Sequence, residues 1–247
     1  MTNWEFPTSE PVDLRVQFPS GRITVLAAAT QTATVTIDSD SGGSDQGFLT
    51  SARVEFNQPT LSIKVPERFR LGRGGSLEVT VELPEGSSCR VRTASADVHC
   101  TGEFGAADIH TASGEVRVEN VTGLADVDTA SGSVAVQAAD EVRAKSASGD
   151  VTLGRVSGPA SVSTASGDVR IDQAAGPRTD VKSASGDIRV AVAPGIGVYQ
   201  DLSSLSGTVS SELEPAEESG GGPDMTLHCR TISGDVRVSR AAQPAAR

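Results

Sequence analysis

The stretch TASGDVRI, residues 164–171, decides the fold, because the 247-residue chain carries eight copies of this eight-residue phrase. Self-similarity at a fixed short period is the sequence signature of a stacked repeat architecture. The glycine of the phrase recurs mostly every 18 residues, which is too short for a helix pair or a propeller blade and suits one coil of a β-solenoid. The copies begin at Thr93, Thr111, Thr129, Ser146, Thr164, Ser183, Ser204 and Thr231.

Apolar and polar residues alternate on both sides of the Ser-Gly pair in each copy. In the third copy Val127, Thr129 and Ser131 share one face before the pair, and Val134 and Val136 share one face after it. Alternation at period two is typical of half-buried strands, and a glycine between two such runs marks a bend because it tolerates a positive φ. We therefore predict coils of strand, Ser-Gly corner, strand and looser second corner, stacked by parallel pairing. The last two glycine steps, of 21 and 27 residues, are interpreted as loops that grow out of late coils.

The first 90 residues lack the phrase but contain further strand patterns. Hydrophobic residues alternate in VDLRVQF (12–18) and RITVLAA (22–28), and the intervening PSG predicts a hairpin. We interpret residues 1–90 as a β section that is continuous with the solenoid and caps it, residues 91–240 as a solenoid of eight repeats, and residues 241–247 as a disordered tail. A separate small sandwich is the alternative for the first section. Further strands are predicted at 32–38, 52–57, 61–65 and 76–83.

The chain is acidic, with a formal net charge of −11 and a pI of about 4.7. Bulk charge of this sign disfavours nucleic acid and anionic lipid surfaces as partners. No run approaches 18 apolar residues, so no insertion into a membrane is predicted. Residues 1–14 lack a basic start followed by an apolar stretch, so we expect no secretory signal and a cytoplasmic location.

Catalytic motifs are missing from the sequence, so we predict no enzyme and no cofactor. There is no GxSxG, HExxH, P-loop or GxGxxG after a strand, and RLGRGGSLE (70–78) lacks the Lys-Ser/Thr ending of a P-loop. Enzymes built on solenoids carry their sites where the repeat is broken, but the departures Ser133, Lys145 and Thr208 do not cluster by register. A carbohydrate-binding or carbohydrate-active solenoid is the more distant alternative.

The three cysteines are predicted to be core residues. Cys100 takes the place that valine or a similar residue has in other copies, and Cys229 and Cys89 have the same inward parity. A metal site that combines His99 with Cys100 and His228 with Cys229 is disfavoured, because the two pairs lie at opposite ends of the stack and no CxxC spacing is present. No metal is therefore predicted.

Charged residues after the phrase glycine are the most suggestive surface feature. An acidic residue usually follows the glycine and a basic residue stands two positions later, so stacked coils place an acidic column beside a basic one. Charge compensation on a solvated sheet is one interpretation, and a stripe that docks a protein partner is the other. A calcium column is disfavoured because the GGxGxD nonapeptide is absent. The candidates are Glu115, Arg117, Asp150, Asp168, Arg170, Asp187, Arg189, Asp235 and Arg237, with Asp97 and His99 in the first copy.

The Thr-x-Ser pairs, such as Thr111 with Ser113 and Thr129 with Ser131, form a second column. Their parity with Val127 predicts that both hydroxyls point inward at a corner and bond each other or nearby backbone. An outward row would resemble the threonine rows of ice-binding solenoids, but serine replaces the second threonine here, which disfavours ice binding.

Two loops depart from the repeat. ERFRLGR (67–73) contains Arg68, Arg70 and Arg73, and it is either a solvated hairpin tip or a contact for an anion or partner. SELEPAEESGGGPD (211–224) is acidic and rich in proline and glycine, which predicts a disordered insertion.

The segment VTVELPEGSSCRVRTASADV (79–98), followed by the repeated phrase, resembles the bacterial "putative adhesin" β-strand-repeat family, also called the toastrack domain. The resemblance spans most of the chain. It implies a single-chain right-handed β-helix-like fold, and the same handedness is general for parallel crossovers. It also implies an interaction module, often near envelope or stress systems, with no catalytic residues to transfer. We therefore expect a non-catalytic interaction or scaffold protein with an unidentified protein partner. Self-assembly through open sheet edges, as a structural or adhesin-like protein, is the alternative.

Overall fold

The computed structural model describes residues 1–39, 52–66, 77–213 and 224–242. Within these ranges the chain forms β-strands in one mixed sheet and no helix, which confirms the all-β prediction. The described residues accordingly include no helix of the length and apolar character that crossing a membrane would require. The basic segment with Arg68, Arg70 and Arg73, and residues 214–223 of the acidic segment, lie outside the described residues.

Nineteen strands make up the described sheet. Those of the first 104 residues are β1 (Thr2–Pro7), β2 (Asp13–Ala28), β3 (Thr32–Ser39), β4 (Arg53–Asn57), β5 (Thr60–Lys64), β6 (Leu77–Pro84) and β7 (Ser88–Phe104). The next are β8 (Ala106–Thr111), β9 (Val116–Thr129), β10 (Val134–Ser146), β11 (Val151–Val156), β12 (Ala160–Ser166), β13 (Val169–Ala174), β14 (Arg178–Ser185) and β15 (Ile188–Val192). The last are β16 (Val198–Ser206), β17 (Val209–Ser211), β18 (Met225–Ser233) and β19 (Val236–Arg240).

The strands form two stacks that meet at the Ser-Gly corner, as the repeat predicts. We call the stack before the corner the front wall and the stack after it the back wall. The front wall runs β4, β5, first half of β2, first half of β7, β8, second half of β9, second half of β10, β12, β14, β18 and β16. The back wall runs β1, β3, β6, second half of β2, second half of β7, first half of β9, first half of β10, β11, β13, β15, β19 and β17.

Pairing is parallel throughout the copies of the phrase. Val134 pairs with Val116 on one side and with Val151 on the other, so equivalent residues of the phrase are neighbours in space. These valines are at most 1% exposed, because each faces the space between the two walls. The handedness of the stack and a uniform coil of 18 residues stay predictions.

The hairpin expected between residues 12 and 28 is wrong. The two runs belong to the single strand β2, which bends at Gly21 and pairs in parallel with β7 along its length. Ser20 and Gly21 lie opposite Ser95 and Ala96, so PSG is a Ser-Gly corner and not a hairpin turn. The strand pairing therefore runs without a break across residue 90.

Aromatic side chains close the stack at the N-terminal end. Strands β4 and β5 form an antiparallel pair that extends the front wall, and β3 and β1 extend the back wall by antiparallel pairing. The rings of Phe6 and Phe56 bridge the two extensions, with centroids 5.2 Å apart. Trp4 packs against the same end of the core.

The last two copies of the phrase are exchanged in space. Val181 of the sixth copy pairs with Cys229 of the eighth, and Cys229 pairs with Leu202 of the seventh. The back wall shows the same order, with β19 between β15 and β17. The interpretation of the long steps as loops that grow out of late coils does not predict this exchange. The chain passes over one position, forms the outermost coil with β16 and β17, and returns to fill the gap.

The side chains of the seventh copy explain why it lies at the edge. Gln200 and Ser211 stand in the inward columns, opposite Leu227 and Val238 of the eighth copy. In an inner coil these polar groups would be buried, which costs free energy unless each finds a partner. At the edge, Ser211 donates a hydrogen bond of 2.7 Å to Oε1 of Gln200 and joins the two walls. A polar contact thus joins the two walls at the second end, beside Val209, which stands opposite the buried Val236 and is 42% exposed.

Candidate interaction surfaces

The carboxylates of the acidic column accept hydrogen bonds from backbone amides. The amide of Asp168 donates to Oδ1 of Asp150 at 2.8 Å, and the amide of Asp187 donates to Oδ1 of Asp168 at 2.8 Å. The amide of Asp235 donates to Asp187 in the same way at 2.9 Å, which follows the spatial order of the coils. We call Asp150, Asp168, Asp187 and Asp235 the Asp ladder. These carboxylates satisfy amide donors that the corner withdraws from ordinary strand pairing.

The ladder is interrupted in the middle of the stack. Asp97 accepts from the amide of Glu115 at 3.0 Å, but Ser133 takes the next acidic position before the column resumes at Asp150. The predicted acidic residues therefore lie in two patches and not in one continuous stripe.

The basic column lies beside the acidic one, as predicted, and most of its members are paired. Arg117 forms an ion pair with Glu115, Arg170 with Asp172 at 2.6 Å, and Arg189 with Asp187 at 2.7 Å. Exposed pairs of this kind contribute about 0–1 kcal/mol each. The column is broken where Ala135 and Thr152 replace the basic residue, and His99 and Arg237 stand at its two ends.

The ion pairs and backbone hydrogen bonds within the protein explain most of the charged residues in these two columns without a binding partner. The sequence grouped the residues correctly, but it did not reveal that the aspartates accept backbone hydrogen bonds. Whether the same surface also docks a protein stays a prediction.

The hydroxyl at the start of the phrase points inward, as predicted. Thr129 Oγ1 accepts a hydrogen bond of 2.9 Å from the amide of Gly132, and Ser146 Oγ accepts one of 2.8 Å from Gly149. The prediction was wrong for the second hydroxyl, because Ser113 and Ser131 are exposed. The chain already turns at the preceding alanine, which carries the serine out of the strand parity.

A row of basic side chains on the front wall was not recognised in the sequence. It occupies the outward position directly before each copy of the phrase, and β4 and β5 extend it. In spatial order this corner row comprises Arg53, Lys64, Gln17, Arg92, His110, Asp128, Lys145, Ser163, Lys182, Arg230 and Ser203. Aligning the copies one residue further upstream would have shown its members from Arg92 onward. Its first three members lie on β4, β5 and β2, which carry no recognisable phrase.

The three cysteines are free and buried, which confirms their core assignment. Burial, with a smaller effect of Asp180, raises the pKa of Cys229 to about 12, and a hydrogen bond with Cys100 together with burial raises the pKa of Cys89 well above its usual range. Within the described ranges no group of three His, Cys, Asp or Glu side chains is arranged to hold a metal.

Native protein at neutral pH is expected to react with less than one equivalent of a thiol reagent, because all three thiols are inaccessible and the thiolate is the reactive form. In urea all three should react. Mass spectrometry of the alkylated protein checks this, and rapid labelling of Cys89 or Cys229 in the folded state would contradict the core assignment.

Parallel strands, corner carboxylates that bind backbone and a core of small aliphatic residues define a solenoid-like repeat protein. The chain belongs to the Toastrack DUF4097 family, whose family model matches residues 6–156 and again residues 126–246. This confirms the resemblance seen in the repeated phrase. No functionally curated protein matches the chain.

Solved structures of other proteins share this fold, and two of them are similar to the chain over most of its length. A "putative adhesin" from Bacteroides fragilis NCTC 9343 is similar with a TM-score of 0.59 and 12% identity, over 96% of both chains. A "putative adhesin" from Parabacteroides distasonis ATCC 8503 is similar with a TM-score of 0.52 and 14% identity, also over 96% of both chains. At these identities the likeness concerns the fold alone.

Proposed function

We propose that the chain is a non-catalytic interaction module that acts as a single rod and binds a protein partner along its sides. The observation that carries the proposal is the closure of both ends, by Phe6 on Phe56 at one and by Ser211 on Gln200 at the other. A repeat stack needs caps at its ends, and a stack that has them does not require a second copy to complete its core. The description of two solved relatives as "putative adhesin" supports a binding role.

The outermost coil is also held by charge. Asp201 of β16 lies 2.7 Å from Arg230 and 3.1 Å from His228 of β18. Hydrogen bonds from Arg230 and then His228 hold the pKa of the Asp201 carboxyl below its usual range. The contribution of this contact is present above the unfolded pKa of the carboxyl and is lost as the pH falls through the lower folded pKa. At neutral pH this contact is therefore present.

The protein is expected to be monomeric across a wide concentration series, because side-chain contacts join the two walls at both ends. Light scattering coupled to size exclusion measures this directly. Leu205 and Ile232 are neighbours in the outermost coils and are 84% and 55% exposed, so they are the place where self-association would arise. A dimer that the double variant Leu205→Ser and Ile232→Ser returns to monomer would overturn the single-rod proposal in favour of self-assembly.

A partner is expected to contact the walls and not the end. A photo-crosslinking residue placed at Thr152 on the back wall or Ser161 on the front wall should capture the partner in cells, whereas the same residue at Leu205 should not. All three positions are exposed, so they form a matched set. Adducts from Leu205 alone would contradict lateral binding, and adducts from Thr152 would favour the charged back-wall surface.

A further inference from the structure

The corner row concentrates positive charge on an acidic protein. It contains six of the 21 lysines and arginines of the chain and one acidic residue, Asp128, although acidic residues outnumber basic ones by 32 to 21 overall. The basic members are Arg53, Lys64, Arg92, Lys145, Lys182 and Arg230, with His110 among them.

Most of these side chains have no partner among the residues that the structure describes. Arg230 pairs with Asp201 and His110 with Asp108. For Arg53, Lys64, Arg92, Lys145 and Lys182, the described part of the chain provides no ion pair and no side-chain hydrogen bond, and all five are exposed. The basic column of the back wall differs, since Arg117, Arg170 and Arg189 are all paired.

An open groove follows the row along the corner. Its first part, between Arg53, Lys64 and Arg92, has a volume of about 530 Å³, and its second part, between Arg92 and Lys145, has a volume of about 650 Å³. Arg92 and Thr93 line both parts, so the two parts adjoin. The side opposite the basic row is lined by the small corner residues Ala94, Ala112, Ala130 and Ala147. The groove therefore combines a basic side with a smooth side of small residues.

We propose that this groove binds an extended acidic segment of a partner polypeptide. From Arg53 to Lys145 the row crosses seven neighbouring strands, which is roughly 29 Å at about 4.8 Å per step and matches about nine extended residues at ~3.4 Å each. Carboxylates on one side of such a segment reach the unpaired cations, and its backbone lies against the alanines. Binding neutralises charges that have no ion-pair partner in the described part of the chain.

The surroundings of the groove favour a peptide over a dense polyanion. Asp128 lies inside the row, and Asp108 and Asp126 lie in the next outward row of the same wall. A nucleic acid carries one charge per about 1.7 Å of duplex and would meet these carboxylates along with the net charge of −11. An acidic peptide carries sparser charge and can place neutral residues opposite Asp128.

Fluorescence anisotropy with a labelled peptide of alternating glutamate and alanine, about nine residues long, tests the proposal. The probe should bind the full chain at low ionic strength, and added salt should weaken it. The triple variant Lys64→Gln, Arg92→Gln and Lys145→Gln should weaken binding at least about tenfold. A control variant with the same loss of charge, Arg117→Gln, Arg170→Gln and Arg178→Gln, should change it less than about threefold. A matching peptide of glutamine and alanine should not bind.

Equal losses in the two triple variants, or no binding of the acidic peptide, would overturn the proposal. Tighter binding of a polyphosphate or a sulfated oligosaccharide to the same groove would also overturn it, in favour of a different polyanion. Thermal unfolding of both variants verifies that they are folded. The inference rests on the proposed interaction role, but the two fail separately. If Thr152 captures a partner but the chain does not bind the peptide, the interaction role stands and the groove is not the binding site. If the protein is an obligate dimer, the single-rod proposal is wrong, but peptide binding is unaffected.

Discussion

Alanine in place of Gly186 is expected to destabilise the protein by more than about 3 kcal/mol, a large part of the 5–15 kcal/mol typical of folded domains. Gly186 has φ of +150°, where side chains are strained, and an added Cβ would lie 2.2 Å from the carbonyl oxygen of Gly167 in the neighbouring coil. Neither group can move alone, because both belong to the backbone of stacked corners. Urea denaturation followed by circular dichroism measures the loss.

Two further glycines separate the close approach from the backbone strain. Gly149 carries no such φ, but its added Cβ would lie 2.0 Å from the oxygen of Gly132, so Gly149→Ala should also cost more than about 3 kcal/mol. Gly195 has φ of +80° with nothing within 4 Å of its added Cβ, so Gly195→Ala should cost only about 1 kcal/mol. If Gly149→Ala were as mild as Gly195→Ala, contact between corners would not be the reason for glycine in the phrase.

The repeated phrase predicts the corner and the walls because both follow from short-range rules. Alternation around Val127 and Val134 specifies which side chains face inward, and the glycine between them specifies where the chain bends. The first coil escaped notice because Phe18 and Arg22 replace the threonine and the acidic residue of the phrase. Its register with β7 is nevertheless the same.

The spatial order of the last two copies could not be read from spacing. Each copy can pair with any other copy in the same register, so neighbour choice depends on small differences in side-chain burial. Gln200 and Ser211 are two such differences, because they stand opposite Leu227 and Val238 of the eighth copy. The sixth copy has the smaller buried Thr179 and the apolar Val190 in these places. Connections of 21 and 27 residues between glycines are long enough for either order.

The candidate surfaces, like the fold, could be predicted from the sequence only in part. The charge columns were predictable, because residues two apart on a strand share a face. The partners of the aspartates were not, since an amide left free by a bend is visible only once the corner geometry is known. The corner row was missed because its first three members, Arg53, Lys64 and Gln17, lie on β4, β5 and β2, where no phrase marks the register.

Removing the Asp ladder is expected to have the second large effect on stability. A hydrogen bond to a charged group is worth about 1.5–3 kcal/mol, and solvent exposure reduces this, so Asp168→Ala should cost about 1–2 kcal/mol. The triple variant Asp150→Ala, Asp168→Ala and Asp187→Ala should cost about 3–5 kcal/mol, since each change leaves the amide of the next corner without its acceptor. Urea denaturation of the variants measures both values.

Replacing the aspartate by asparagine distinguishes two roles of the carboxylate: accepting a backbone hydrogen bond, or carrying a charge that binds a partner. Asp168→Asn keeps an oxygen for the amide of Asp187 and should retain most of the stability, while Arg170→Ala should change it by less than about 1 kcal/mol. Asp128→Ala is the matched control, because this aspartate is exposed and lies outside the ladder. If Asp168→Ala proved as silent as Asp128→Ala, the carboxylates would be free for a partner. If alanine costs stability and asparagine does not, the acidic residue of the phrase exists to hold one coil on the next.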